Sequence, residues 1–285
     1  MLSRIPPVWL VVVGICSVQL GAGIAKNLFD EAAPTTLVWL RLATSAVLLV
    51  VLARPSLRGR TTADWRMAVA FGVSLGTMNW AIYQSFSRIP LGIAVTIEFL
   101  GPLTLAVVGS HRARDLLWAL LAALGVALLG LERGAVTWAG VGFALLAAAA
   151  WAAYILLSAG TGRRWPGLEG LAVASVVATV LLTPFLVAFS GHGLGQPRIL
   201  VLGALVGVLS SVIPYSCEIT ALRSLRPSVF SILMSLEPAA AALAGMLVVH
   251  EFLTGVQWLA VACVIAASIG ATRTASTTAT APAPD

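Results

Sequence analysis

Leu91–Gly109 reads LGIAVTIEFLGPLTLAVVG, an apolar run with a single charged residue, Glu98. At about 1.5 Å per residue a helix of this length spans a hydrocarbon core of about 30 Å. The run is too long and too uniformly apolar for a tilted barrel strand, which would alternate its two faces. Lipid offers backbone groups no partner, so the segment must satisfy them itself as a helix. Yet Pro102 withholds a donor in its middle, four residues after a carboxylate. An apolar helix broken beside a charge is the pattern from which the rest of the chain is read.

Similar apolar stretches recur on both sides of it. Spans are expected near 8–25, 35–53, 66–87, 91–109, 115–131, 136–158, 168–190, 199–222, 228–249 and 255–272. Of the 285 residues, 59% are hydrophobic and 10% charged, and the mean hydropathy is +0.99. Soluble domains carry about 25% charged residues. Ten spans of roughly 20 residues leave only short loops, so no soluble domain fits. The fold class is an all-α integral membrane protein of ten transmembrane helices. The first run, with Arg4 before it and Gly21-Ala22-Gly23 after it, has some features of a signal peptide. It is read as a retained helix because more spans follow.

Charge in the loops sets orientation. One side carries Arg4, Arg54, Arg58, Arg60, Arg66, Arg112, Arg114, Arg163, Arg164, Arg223, Arg226 and Arg273; the other carries Lys26, Arg88, Arg133 and Arg198. Twelve against four puts the first side, and both termini, in the cytoplasm of a bacterial inner membrane. This alternation needs an even number of spans. The net charge of +6 is therefore assigned to topology, not to nucleic acid. Cys16, Cys217 and Cys263 lie in apolar runs with neither a disulfide framework nor metal-ligand spacing, so no metal and no cofactor is expected. Residues 274–285 form a low-complexity segment expected to be a disordered cytoplasmic tail.

Two halves, 1–133 and 134–273, repeat faintly. Pro102 and Pro238 lie 136 residues apart, as do Gly109 and Gly245, and Trp118 and Trp258 lie 140 apart. Five helices per half is an odd number, so the second half would be inverted, an organisation common in secondary transporters.

Arg41, Glu98, Glu218 and Glu237 fall inside the spans. Each charge costs roughly 2.5–3.5 kcal/mol at the bilayer centre on insertion scales, so each should face a polar cavity or a partner. Arg41 and Glu98 sit at similar depth and can pair. Glu98 precedes Pro102, and Glu237 directly precedes Pro238. A carboxylate beside a helix break in corresponding spans is expected at a midplane binding site. Glu218, nearer the cytoplasmic end, is open to either a solvated or a functional role. Asn79 and Tyr154 are deep enough to line a pocket, and Tyr83 and Tyr215, with Pro214 beside the latter, join them as candidates. Polar aromatics near span ends also form interface belts.

Gly72-Val73-Ser74-Leu75-Gly76 matches a nucleophile pattern that needs a strand-to-helix turn. In mid-helix it reads better as G-x-x-x-G packing, a spacing repeated at Gly203 and Gly207. No G-x-x-x-x-G-K-[ST] or H-E-x-x-H occurs, so ATP drive is not expected.

Several stretches carry a resemblance: Gly21–Lys26, Leu40-Arg41-Leu42, Pro90–Val95 running through Glu98-Phe99 to Gly101-Pro102-Leu103, Trp151–Leu156, Ile213–Ser216 with Glu218, and Leu233–Ala239. In these the chain resembles the threonine/homoserine exporter family of the drug/metabolite transporter superfamily, whose members carry two EamA-type five-helix repeats. It departs from the repeat pattern at His250-Glu251, where many repeats have glycine before the glutamate. The resemblance implies export of a small neutral amino acid. On that basis Glu98 or Glu237 would hold the ammonium, and Arg41 or a broken-helix N-terminus the carboxylate. Asn79 and Tyr154 would meet the side-chain hydroxyl. Proton antiport through Glu98, Glu237 and Glu218 would drive it. The rival readings are a same-fold exporter of another metabolite or drug, an intramembrane enzyme using Ser74, and a scaffold. The expected partners are a small-molecule substrate and the lipid bilayer, with no nucleic acid.

Overall fold

The computed structural model describes residues 6–108, 113–130, 136–189, 193–222, 224–225 and 227–276. Arg4, Gly109, His111, Arg112, Arg133, His192, Arg223, Arg226 and residues 277–285 lie outside these, as does the side chain of Arg114. Every regular element among the described residues is helical. They are α1 (Pro7–Asn27), α2 (Pro34–Ala53), α3 (Thr62–Phe86), α4 (Leu91–Glu98), α5 (Leu100–Val108), α6 (Ala113–Gly130), α7 (Trp138–Gly162), α8 (Glu169–Phe189), α9 (Pro197–Gly207), α10 (Ile213–Leu222), α11 (Pro227–Met234), α12 (Glu237–Ala244) and α13 (Gly255–Ser276). Two π-helical turns, Val208–Val212 and Gly245–Val249, join α9 to α10 and extend α12.

Eight of the helical stretches are long and apolar enough to cross a membrane. Leu116–Leu128 in α6 is a shorter apolar run. α3 is 25 residues long but carries Asp64, Arg66, Asn79 and Gln84 and is not among the eight. It begins a turn earlier than its apolar residues suggest, because Thr61 and Asp64 cap each other reciprocally, satisfying backbone donors at the helix start. α1, α2 and α9 open on Pro7, Pro34 and Pro197, where a missing N–H costs nothing. Val47, Val51, Leu52, Leu117, Leu120, Leu156, Val187 and Leu247 are exposed, a belt that lipid, not water, must cover.

The interior is held by close approach at small residues. A Cβ on Gly72 would sit 2.6 Å from Val177 Cβ and 2.7 Å from the Ala174 carbonyl, so the first G-x-x-x-G packs α3 onto α8. On Gly203 it would lie 2.5 Å from Leu40 Cδ1, and on Gly207 2.7 Å from Thr44 Cβ, so the second packs α9 onto α2. Both spacings serve as backbone-approach motifs, as expected of small residues between membrane helices. A Cβ on Gly92 would lie 2.7 Å from Ala242 Cα, so glycine lets the two broken spans, α4–α5 and α11–α12, come against each other. Further partners are α3 with α7, α1 with α10, α2 with α8 and α6 with α13.

The loops gather on two ends as their charges suggest. At one end Arg60 pairs with Glu169 at 2.7 Å and lies over the Trp165 ring, while Arg164 pairs with Asp64 at 3.2 Å. At the other, Arg198 pairs with Glu31 at 2.6 Å and Lys26 with Glu251.

His250 ends the second π turn at φ 61°, the left-handed region where a Cβ is strained and glycine is the usual residue. A glycine at this position would relieve that strain. His250→Gly is expected to stabilise the fold by up to about 1 kcal/mol, seen as a higher unfolding midpoint in a thermal melt in detergent.

Candidate functional site

The two broken spans meet around a buried cavity of about 200 Å³. Each break has a local cause. Pro102 has no N–H to give the Glu98 carbonyl four residues back, and the helix parts at Phe99. Pro238 likewise cannot serve Met234, and the chain breaks at Ser235–Leu236 before α12 resumes at Glu237. Pro214 cannot serve Ser210, and there the helix widens into a π turn, a register slip common at functional sites. Arg41 points Nη2 at that Ser210 carbonyl in a long contact of 3.5 Å.

Arg41, Asn79, Glu98, Tyr154, Tyr215, Glu218 and Glu237 all line this one cavity, with Pro214. They come from α2, α3, α4, α7, α10 and α12, which are far apart in sequence. Arg41 and Glu98 share the cavity but form no ion pair: the four salt bridges among the described residues lie elsewhere. The expectation that they pair is thus corrected. Similar depth does not bring them within contact across the cavity, and the guanidinium and carboxylates remain available to a ligand.

Tyr83 stands behind this lining. It is fully buried and absent from the cavity lining; its ring lies 5.7 Å from the Arg41 guanidinium carbon. It supports Arg41 from behind. Asn79 lines the cavity, and its Nδ2 donates one of its two N–H groups to Leu75 O at 2.9 Å within its own helix. Tyr154 is fixed by Phe71, with ring centroids 5.0 Å apart. Pro102 and Pro238 shape the breaks and do not line this cavity. The N-terminus of α12 already holds its own acidic residue, Glu237, so the positive end of that helix is complemented from within. Arg41 is the one cationic side chain among the described residues that line the cavity.

Two lining residues were not singled out from the sequence. Gln19 on α1 and Ser210 in the π turn are each 4% exposed, and Gln19 Oε1 and Ser210 Oγ have no hydrogen-bond partner. A lone carboxamide in an apolar span was the available signal.

The cavity has a neighbour on each side. Trp151 and Met234 are shared with a cavity of about 320 Å³ lined by Pro102, Phe230 and Thr272. Trp151 is held by an edge contact to Phe99, 5.5 Å between ring centroids. Phe86 is shared with a wider vestibule of about 540 Å³ at the Lys26–Glu251 end. There Glu251 also accepts from Leu91 N at 2.9 Å, Lys26 donates to Ile89 O at 2.7 Å, and Asn27 to Val248 O at 2.8 Å. This cluster ties α1, the start of α4 and the turn after Val249 together, and it went unread because its members look like ordinary loop charges.

Ser74 donates to Ala150 O at 2.7 Å and is buried between helices. Ser74→Ala is expected to leave transport within about twofold and to cost about 1 kcal/mol of stability. Activity assayed beside a melting curve distinguishes this from a nucleophile's loss. No cluster of His, Cys, Asp and Glu among the described residues is fit to hold a metal.

An apolar helical protein with broken spans around a small charged cavity is a membrane transporter in build. Comparisons with known proteins place it further. Residues 138–273 match the EamA-like transporter family. The chain is 41% identical over 283 residues to the threonine/homoserine exporter RhtA of Salmonella typhimurium SL1344, covering 95% of this chain and 94% of that protein. It is 40% identical over 276 residues to the threonine/homoserine exporter RhtA of Escherichia coli K12, covering 94% and 93%. A solved crystal structure at 18% identity superposes with a TM-score of 0.65 over 94% of this chain and 98% of that one, a likeness of fold. The chain belongs to the threonine/homoserine exporter family of EamA-like transporters.

Proposed function

We propose that this chain exports small neutral amino acids of the threonine and homoserine class across a bacterial inner membrane in exchange for protons. The observation that carries the reading is the cavity itself, where one guanidinium and three carboxylates from separate helices face about 200 Å³ of buried space without pairing. Drug-sized sites run to roughly 300–1,000 Å³, so this one suits a small metabolite better than an amphipathic drug. A zwitterion needs both signs of charge in a dry site. Arg41 takes its carboxylate, and Glu98 or Glu237 its ammonium.

Carboxylates at this depth must be neutralised, and an ammonium or a proton can each do so. Glu98, Glu237 and Glu218 exceed the single guanidinium, which favours alternate occupancy by substrate and protons over a permanent ion pair. One charge moving through 100 mV is worth roughly 2.3 kcal/mol, enough to drive a useful gradient. The path runs from the cavity behind Trp151 and Met234, through the central site, past Phe86 to the vestibule under Lys26–Glu251. All ten helical stretches cross the bilayer in this reading, with both termini cytoplasmic. Residues 1–133 and 134–273 act as inverted repeats. The packing supports this: exchanging the halves turns the α3–α8 glycine contact into the α9–α2 contact, and leaves the α6–α13 contact in place.

The test is efflux of preloaded labelled threonine from cells lacking their own exporters, with and without an uncoupler. Efflux that depends on this protein and slows with the uncoupler supports antiport. Protein-dependent efflux indifferent to the uncoupler, under a fixed threonine gradient, removes the proton and leaves facilitated diffusion.

A further inference from the structure

We propose that Gln19 and Ser210 form the subsite that recognises the substrate's side-chain hydroxyl, and so set the preference for hydroxylated over plain aliphatic amino acids. The proposal rests on the amino-acid reading above and names its specificity residues.

Both side chains line the cavity that holds Arg41, Glu98 and Glu237. Each is 96% buried, as its 4% exposure requires, and each presents an oxygen, Oε1 or Oγ, with no hydrogen-bond partner. Buried polar groups are nearly always paired, and an exception calls for a reason. Of the unpaired buried polar atoms near Arg41, the hydroxyl of Tyr83 lies outside the cavity lining, which leaves these two facing the cavity, while other polar side chains beside them are paired. Ser17 donates to Leu209 O at 2.6 Å, Ser45 to Arg41 O at 2.8 Å, Ser211 bonds Ser45 at 2.5 Å, and Asn79 bonds Leu75 O.

Ser210 is also built in place. It sits in the π turn set by Pro214, and a Cβ on Gly21 of α1 would approach its Oγ to 2.5 Å. Glycine there is what lets the hydroxyl lie between the helices. The chemistry fits a hydroxyl, which donates one hydrogen bond and accepts others. Gln19 Oε1 can only accept, so the substrate hydroxyl donates to it. Ser210 Oγ can either donate or accept. A charged side chain would find no counter-ion in this pair, and an aliphatic one would leave both oxygens unpaired. Sites that hydrogen-bond a substrate hydroxyl reject the analogue lacking it far more strongly than apolar pockets sort by size.

The probe is 2-aminobutyrate, which lacks the hydroxyl of both threonine and homoserine. Purified protein in phosphatidylethanolamine–phosphatidylglycerol vesicles exchanges external labelled amino acid for internal unlabelled amino acid. Wild type is expected to exchange threonine and homoserine at least about tenfold faster than 2-aminobutyrate. Gln19→Leu and Ser210→Ala are expected to bring the three within about threefold, by slowing the hydroxylated pair. Gln19→Leu removes an unpaired buried polar group, so its melting point should not fall.

The inference is overturned if both variants keep the wild-type preference, if folded variants slow all three substrates equally, or if wild type shows no preference. Wild type that exchanges none of the three overturns the amino-acid reading itself, a failure plainly distinct from the others.

Discussion

Glu98→Gln lowers threonine export by about ten- to a hundredfold while leaving the amount of folded protein in the membrane unchanged. Glu98 closes α4 at a helix break, faces the central cavity, and has no ion-pair partner among the described residues. Nothing in the fold depends on its charge, and the amide is nearly isosteric, so folding should survive. What the amide cannot do is bind an ammonium as an anion or carry a proton. A hydrogen bond to a charged group is worth about 1.5–3 kcal/mol, which sets the size of the loss. Whatever transport remains should no longer respond to an imposed pH gradient if Glu98 carries the proton. The measurement is efflux per unit of protein, beside a size-exclusion profile. Unchanged efflux would move the ammonium site to Glu237.

Gly101→Ala is expected to do the opposite, destroying the fold and leaving the chemistry intact. A Cβ at this position would run into the carbonyl oxygen of Ala148 on α7, a backbone atom that cannot turn aside as a side chain can. The glycine permits α5 to lie against α7 directly after the Phe99 break, so the clash falls on helix packing and touches none of the charged side chains of the cavity. Overpacking a close interior costs about 1–3 kcal/mol, and more where backbone must move. The expected results are a lower melting point in detergent and little monodisperse protein. Gly142, with nothing near a Cβ within 4 Å, should accept alanine without penalty, which separates steric clash from any general effect of replacing glycine.

Much of this was legible in the sequence for one physical reason. Lipid tolerates few charges and no unpaired backbone, so apolar runs mark helices and their rare charges mark a cavity. Arg41, Glu98, Glu218 and Glu237 were found that way, and the structure brings them to one cavity. The breaks were legible because Pro102, Pro214 and Pro238 each deny a donor four residues back. The π turns were not legible: Pro214 marks a lost donor, but whether the helix parts or widens there depends on the neighbours packed against it, α1 and α2 for the first turn. That the Tyr83 ring stands behind Arg41 was not legible, because periodicity gives a face but not a depth. Gln19 was passed over because the search was for charge, and an uncharged carboxamide in lipid obeys the same rule more quietly. The early start of α3 lay in Thr61 and Asp64, polar residues outside the apolar run that a hydropathy reading follows.

The most direct test of the central claim, that the cavity around Arg41, Glu98 and Glu237 binds a small amino-acid zwitterion, is threonine binding to purified protein by isothermal titration. Wild type, Arg41→Gln and Glu237→Gln would be compared under identical conditions. The account predicts saturable binding to wild type, competition by homoserine, and at least about tenfold weaker binding to Arg41→Gln; a matching loss in Glu237→Gln places the ammonium at Glu237 rather than Glu98. Threonine binding of equal strength in all three folded proteins would contradict it and place the substrate elsewhere.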